Sequence, residues 1–267
     1  MAEFSAQDVK KLRDATGAGM MDSKKALVET DGDFTAAASW LRERGLGKAA
    51  ERSGRDNTQG AIAVAVVDNA AALVELKSES DFVAKSPQFV AAADQLAAAV
   101  AADGEGAIDA HKDAVDDLKL TLKENIEVGQ VVRFAAEPGR VLDTYLHVQN
   151  GRGVNGILVE LSGASSELAH DIAVHIAFGK PGYLTRQDVP DDAVAAERAA
   201  LEAQTRNEGK PEQAIAKIVE GKLNGWYKRV PGGVLLEQPY ARDDKLSVAQ
   251  VLGDARVARF AQVTVGD

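Results

Sequence analysis

Six consecutive residues, Gly151-Arg152-Gly153-Val154-Asn155-Gly156, spell the glycine pattern that carries a chain past the pyrophosphate of a dinucleotide. That chemistry requires the glycines to leave a strand and open a helix. Here they precede Ile157 to Leu161, a run that reads as a strand, so a hairpin turn or loop is expected instead. No phosphate-binding loop ending in Gly-Lys-Ser/Thr occurs, and no nucleophile-elbow serine. Of the four histidines, His170 and His175 are five apart on an expected helix, which splays them rather than aiming both at one metal ion. His111 lies in a charged helix, where solvation is enough. His147 ends an expected strand with Tyr145 on the same face, and both a structural role and a contact role suit it. The chain has 41 acidic residues, too many for any one pair to stand out as a general acid and base. No catalytic residue, metal ligand or cofactor is expected.

A different kind of signal lies in Ser80-Asp81-Phe82-Val83-Ala84-Lys85. It falls between a strand ending at Lys77 and a helix restarting at Ser86-Pro87, where serine is a cap and proline takes the first helical position. It reads as a connector, yet it holds a phenylalanine in a chain with 5% aromatics. Phe82 either plugs the core beneath the connector or serves a partner.

These residues have to be positioned by the surrounding elements. Three short helices open the chain. Ser5 caps the first, with Asp8 three residues on and Phe4 and Val9 placed as a hydrophobic staple; Thr16-Gly17 stops it. Met20 to Thr30 forms the second, and the third runs from an Asp33 cap to Arg44 and halts at Gly45. Val9, Leu12, Leu27, Phe34 and Leu41 are expected to share one small core. A polar linker follows, and the pattern then turns to strands at Ala61 to Val67 and Leu73 to Leu76.

Leu158-Val159-Glu160-Leu161 repeats Leu73-Val74-Glu75-Leu76, and Val257-Ala258-Arg259-Phe260-Ala261 echoes Val131-Val132-Arg133-Phe134-Ala135, which suggests two copies of one α+β unit. From Leu76 to Val131 is 55 positions and from Leu161 to Val257 is 96, so the second copy carries 41 extra. Residues 188–229 supply them as a helical hairpin, with Val194, Leu201, Ile215, Ile218, Val219 and Trp226 at helical spacing and a break at Asn207-Glu208-Gly209-Lys210-Pro211. The hairpin either packs back on a sheet or projects as an arm. At the point matching Ser80 to Lys85 the second copy offers only Ser162-Gly163-Ala164-Ser165-Ser166.

The 267 residues, 45% hydrophobic, suffice for one large or a few small cores. A net charge of −10 repels phosphate backbones, so a protein partner is expected rather than nucleic acid. Without cysteines, a leader or a run of about 20 apolar residues, the expected place is the cytoplasm, with no membrane contact.

Thr16-Gly17-Ala18-Gly19-Met20-Met21-Asp22-Ser23-Lys24-Lys25-Ala26-Leu27 resembles the first signature of the elongation factor Ts family, and Glu75 to Lys85 resembles its second. The resemblance extends to the Gly-Lys-Pro turn of the hairpin and to Glu237-Gln238-Pro239-Tyr240. It implies an α+β fold: a ubiquitin-associated-like three-helix module (1–50), a linker (51–59), and a duplicated core with antiparallel sheets (60–140 and 141–267) bearing the antiparallel hairpin. It also implies a non-enzymatic guanine-nucleotide exchange factor for elongation factor Tu in translation elongation, binding it both GDP-bound and nucleotide-free. Ser80, Asp81, Phe82 and Val83 would then disturb the partner's magnesium site, while Arg13, Met20, Met21 and His147 would hold the partner. One-to-one and two-to-two complexes both remain open. The sequence departs from the family pattern in having Ser80 for the usual threonine and Val148 for a glycine, and in stopping at Gly266-Asp267, where some members continue with another helix. A non-exchanging adaptor is the alternative reading.

Overall fold

The computed structural model describes residues 4–266. Helix α1 (Ala6–Thr16) starts in a reciprocal capping box: Ser5 Oγ accepts the Asp8 N–H, and Asp8 accepts the Ser5 N–H. It ends at Gly17, whose φ of 66° is the left-handed conformation that closes a helix most cheaply with glycine. Helices α2 (Met20–Glu29) and α3 (Phe34–Ala50) complete the module around Val9, Leu12, Ala26, Leu27, Ala37 and Leu41.

The structure corrects two sequence expectations in this module. Phe34 is 42% exposed; it stands at the open end of α3, while Ala37 and Leu41, one and two turns on, fill the core. The third helix also runs through Gly45 instead of halting there. A Cβ at Gly45 would lie 2.7 Å from Leu120 Cδ2, so this glycine admits a neighbour and does not break the helix.

Strands β1 (Gln59–Val67) and β2 (Ala70–Ser78) form a hairpin, followed by the one-turn helix α4 (Asp81–Ala84), the long α5 (Pro87–Asp103), then α6 (Ala107–Ala110), α7 (Lys112–Leu122) and β3 (Glu127–Ala135). The three strands make an antiparallel sheet in the order β1-β2-β3. Phe89, Ala93, Leu96, Ala97 and Val100 form the inner stripe of α5 and pack on Ala61, Ala63, Val74 and Leu76. The second half repeats the plan with β4 (Arg140–Gln149), β5 (Arg152–Ser162), α8 (Ser166–Gly179) and, after long insertions, β8 (Arg256–Thr264), in the order β4-β5-β8. Ala169, Ile172, Ala173 and Ile176 of α8 cover Ile157, Val159 and Leu161.

The bare faces of the two sheets meet through Ile62, Leu73, Phe134, Leu158 and Val263, giving helix-sheet-sheet-helix layers. The glycine hexapeptide finds its physical reason here. Asn150 (φ 54°) and Gly151 (φ 80°) make the β4–β5 turn, a pair suited to a two-residue hairpin. The residues after them are already strand, beginning at Arg152 and not at Ile157 as expected. A Cβ at Gly153 would fall 2.1 Å from Ile62 O, and one at Gly156 would fall 2.7 Å from Ile62 Cγ2 and Leu73 Cδ2. The glycines bring two sheets together.

The repeated letters place the central strands correctly, but the echo is out of register. Val74 pairs with Val131, whereas its counterpart Val159 pairs with Phe260. The two echoed phenylalanines therefore face opposite ways: Phe134 lies between the sheets and Phe260 packs toward α8.

Helices α9 (Asp191–Asn207) and α10 (Glu212–Tyr227) form the antiparallel hairpin. Its apolar cluster consists of its own Val194, Leu201, Leu223 and Trp226 with Tyr183, Val189 and Val234 at its base, which makes it an arm supported at one end. Beyond it lie β6 (Pro239–Tyr240), β7 (Asp243–Ser247) and α11 (Val248–Leu252). At the root, buried Gln238 donates to Gly179 O at 2.8 Å and Arg229 O at 3.0 Å, and also to Gly232 O. His175 faces Gln238 Oε1 at 3.0 Å and accepts the Ala241 N–H at 3.2 Å. No helix among the described residues is long and apolar enough to cross a membrane.

Candidate functional site

The Ser80–Lys85 segment is a capped helical turn and not a plain connector. Ser80 Oγ accepts the Val83 N–H at 3.2 Å. Asp81 pairs with Lys85 at 2.9 Å, and that ammonium holds the Asp81 carboxyl below the usual carboxylate range. Val83 is 8% exposed and joins the α5 core, whereas Phe82 is 75% exposed. The core-plug reading of Phe82 is overturned: its neighbours Val83 and Ala84 do that packing and leave the ring in solvent. In the second half the chain passes from β5 to α8 through Gly163–Ser165 alone, with Ser165 capping Leu168.

A carboxylate distant in sequence fixes this turn. Glu124, just after α7, accepts the N–H groups of Glu79 and Ser80, each at 3.0 Å, and the Ser80 hydroxyl at 2.5 Å. Three donors on one carboxylate leave the root of the turn little freedom.

The β4–β5 turn lies on the same side of the molecule. Arg152 donates to Gly60 O at 2.7 Å and to Gln59 Oε1 at 3.1 Å, and Gln59 pairs with Ser78 at the end of the strand that leads into Ser80. Its charge also reaches Asp81. His147, at the edge of a bulge in β4, is exposed, with its ring stacked 6.5 Å from that of Tyr145. The other histidines have separate duties. His170 faces Asp143 at 3.1 Å, His175 is buried at the arm root, and His111 is not simply solvated, since its Nδ1 lies 2.8 Å from Ala107 O.

Arg13, Met20 and Met21 sit on the helical module, apart from this group. Arg13 lies against Asp14 at 2.5 Å, and Met20 and Met21 open α2 with exposures of 45% and 75%. The two methionines are flexible apolar side chains held in solvent, outside the module's apolar cluster.

Residues 79–267 match the family model described as Elongation factor TS, a span that opens immediately before the Ser80 turn. The chain is 45% identical over 281 residues to the Elongation factor Ts of Clavibacter michiganensis, with all of both chains covered. The Nocardioides protein of the same name is 47% identical, again over both full lengths. That of Acidothermus cellulolyticus is 44% identical, covering all of this chain and 99% of its own. The chain belongs to the elongation factor Ts family.

For this family member, sequence reasoning missed Glu124 and gave Arg152 no role beyond its place in the glycine hexapeptide. Glu124 has no local signal, since its partners are 44 and 45 positions away. In the sequence Arg152 is only one letter of that motif, whereas in the fold its side chain holds β1.

Proposed function

We propose that the chain is a guanine-nucleotide exchange factor for elongation factor Tu, acting in translation elongation without catalytic chemistry of its own. The carrying observation is Phe82, a solvent-exposed ring on a turn anchored by buried Val83 and by Glu124, in a chain of the elongation factor Ts family. The module holds the partner through Arg13, Met20 and Met21, and His147 holds it from the second half. Phe82, aimed by Ser80, Asp81 and Val83, enters beside the partner's magnesium and phosphate site. An exchange factor must bind the nucleotide-free partner more tightly than the nucleotide-bound one, and the coupling is reciprocal. Each tenfold loss of nucleotide affinity needs about 1.4 kcal/mol of differential contact. Burying one phenylalanine contributes about 1.5–3 kcal/mol, which is roughly one to two decades, and displacement of the magnesium shell supplies the rest.

The test is release of fluorescent GDP from elongation factor Tu with and without this chain. Acceleration by the wild type that disappears in Phe82→Ala, with binding retained, supports the proposal. Binding without acceleration points to the adaptor reading, which the exposed Met20 and Met21 would serve.

A further inference from the structure

We propose that Asn125 is a positioning residue: it joins the peptide that carries the helical module to the root of the Phe82 turn, and so fixes where the module's Arg13, Met20 and Met21 stand relative to Phe82. The inference rests on the exchange reading above.

Residues 51–58, between α3 and β1, form turns and irregular backbone with no helix or strand. Such a peptide leaves its ends free to move unless something binds it. Asn125, 4% exposed, uses its amide nitrogen to donate to Ser53 O at 3.3 Å and to Arg55 O at 2.8 Å. Its backbone N–H donates to Glu79 Oε1 at 2.6 Å, and the other oxygen of Glu79 faces Arg55 at 3.5 Å. The preceding residue, Glu124, holds Glu79 and Ser80. One buried residue thus bonds the peptide with its side chain and the wedge root with its backbone. Two carbonyl acceptors demand an amide; an aspartate there would offer no donor.

Among the described residues, Asn57 of the same peptide also donates to Glu127 Oε2 at 2.8 Å, and α3 packs on α7 where Gly45 meets Leu120; the side-chain ties on α7 are weaker. Arg42 reaches Asp117 at 2.6 Å and Asp113 at 3.4 Å through side chains that are mostly exposed, and Arg52 reaches Lys119 O at 3.4 Å. Exposed pairs of this kind are screened and contribute little. When one unit grips the partner and another inserts a ring, the geometry of the joint sets the local concentration of that ring at its target. A loose joint keeps both surfaces intact and lowers the fraction of complexes in which the ring is engaged.

The chain has no cysteine, so Lys24→Cys and Gln88→Cys, both at exposed positions, give a doubly spin-labelled protein whose label-to-label distance distribution reports the joint without any partner. Unlabelled protein gives the GDP release rate at saturating concentration. Asn125→Ala is expected to broaden the distribution and to lower the saturating release rate about tenfold. Phe82→Ala should lower the rate and leave the distribution narrow. Should Asn125→Ala not fold, inserting Gly-Ser between Gly54 and Arg55 loosens the same joint without touching the core, with the same two results expected. An unchanged distribution overturns the proposal whatever the rate does, and so does a broadened distribution with the wild-type rate. Wild-type protein that fails to accelerate release overturns the exchange reading instead, and the distance measurement still decides whether Asn125 sets the joint.

Discussion

Phe82 and Val83 are neighbours with opposite fates, one 75% exposed and the other 8%. A helical turn separates adjacent side chains by about 100°, so a single turn can bury one while presenting the other. Replacing Phe82 by alanine removes no core contact. Its unfolding free energy should stay within about ±0.5 kcal/mol of the wild-type value, while GDP release slows about 10- to 100-fold. Glu124→Gln should behave differently, because an amide cannot accept from all three donors. A loss of about 1.5–3 kcal/mol in denaturant unfolding is expected, together with slower release. The Ser80 segment was legible because the second copy lacks it and because an aromatic stood in a connector. Glu124 was illegible, since nothing local distinguishes it from the chain's other acidic residues.

Among elements, the pair of sheets shows how pattern and register separate. Identical letters revealed the central strands β2 and β5, but a repeat of letters does not fix hydrogen-bond pairing, and the bulges beside Glu75 and Glu160 let the outer strands slip. The second of these carboxylates is fully buried. Burial pushes Glu160 up, but the Glu137 N–H, Arg259 at 2.6 Å and Arg140 together outweigh it and hold the group below the usual range. Gly156→Ala places a methyl group against Ile62 and Leu73 and should cost about 1–3 kcal/mol in unfolding free energy. At the arm root, burial pushes His175 below its ordinary value of 6.5. The unfolded chain then binds more protons below about pH 6.5, so stability should fall as pH drops from there toward the folded-state value. Melting temperatures of wild type and His175→Gln across pH 5–7 test this, with the slope expected to flatten in the variant. The helical hairpin was visible in its spacing and its Gly-Lys-Pro break. That α3 continues past Gly45 was not, because only the partner helix shows what the glycine is for.

Taken whole, the molecule hangs two elaborations on one sandwich: the Phe82 turn after β2 and the arm before β8. The module has a small core of its own and meets the sandwich only through polar bonds and the packing of α3 on α7 at Gly45 and Leu120 among the described residues, whereas β2 and β5 are paired on both edges and covered on both faces. Amide hydrogen exchange should therefore be slowest in β2 and β5 and fastest, among the helices, in α1 and α2; comparable protection throughout would contradict this division. The placement of the Phe82 turn also has a mechanical side. Strand β2 is the middle strand of its sheet and runs into Ser80 with only Glu79 between. A load applied at the Phe82 ring passes into that strand and is shared by two ladders of bonds before anything yields. The turn is stiffer than a loop tip, so under the proposed exchange role the deformation at the ring would fall on the partner.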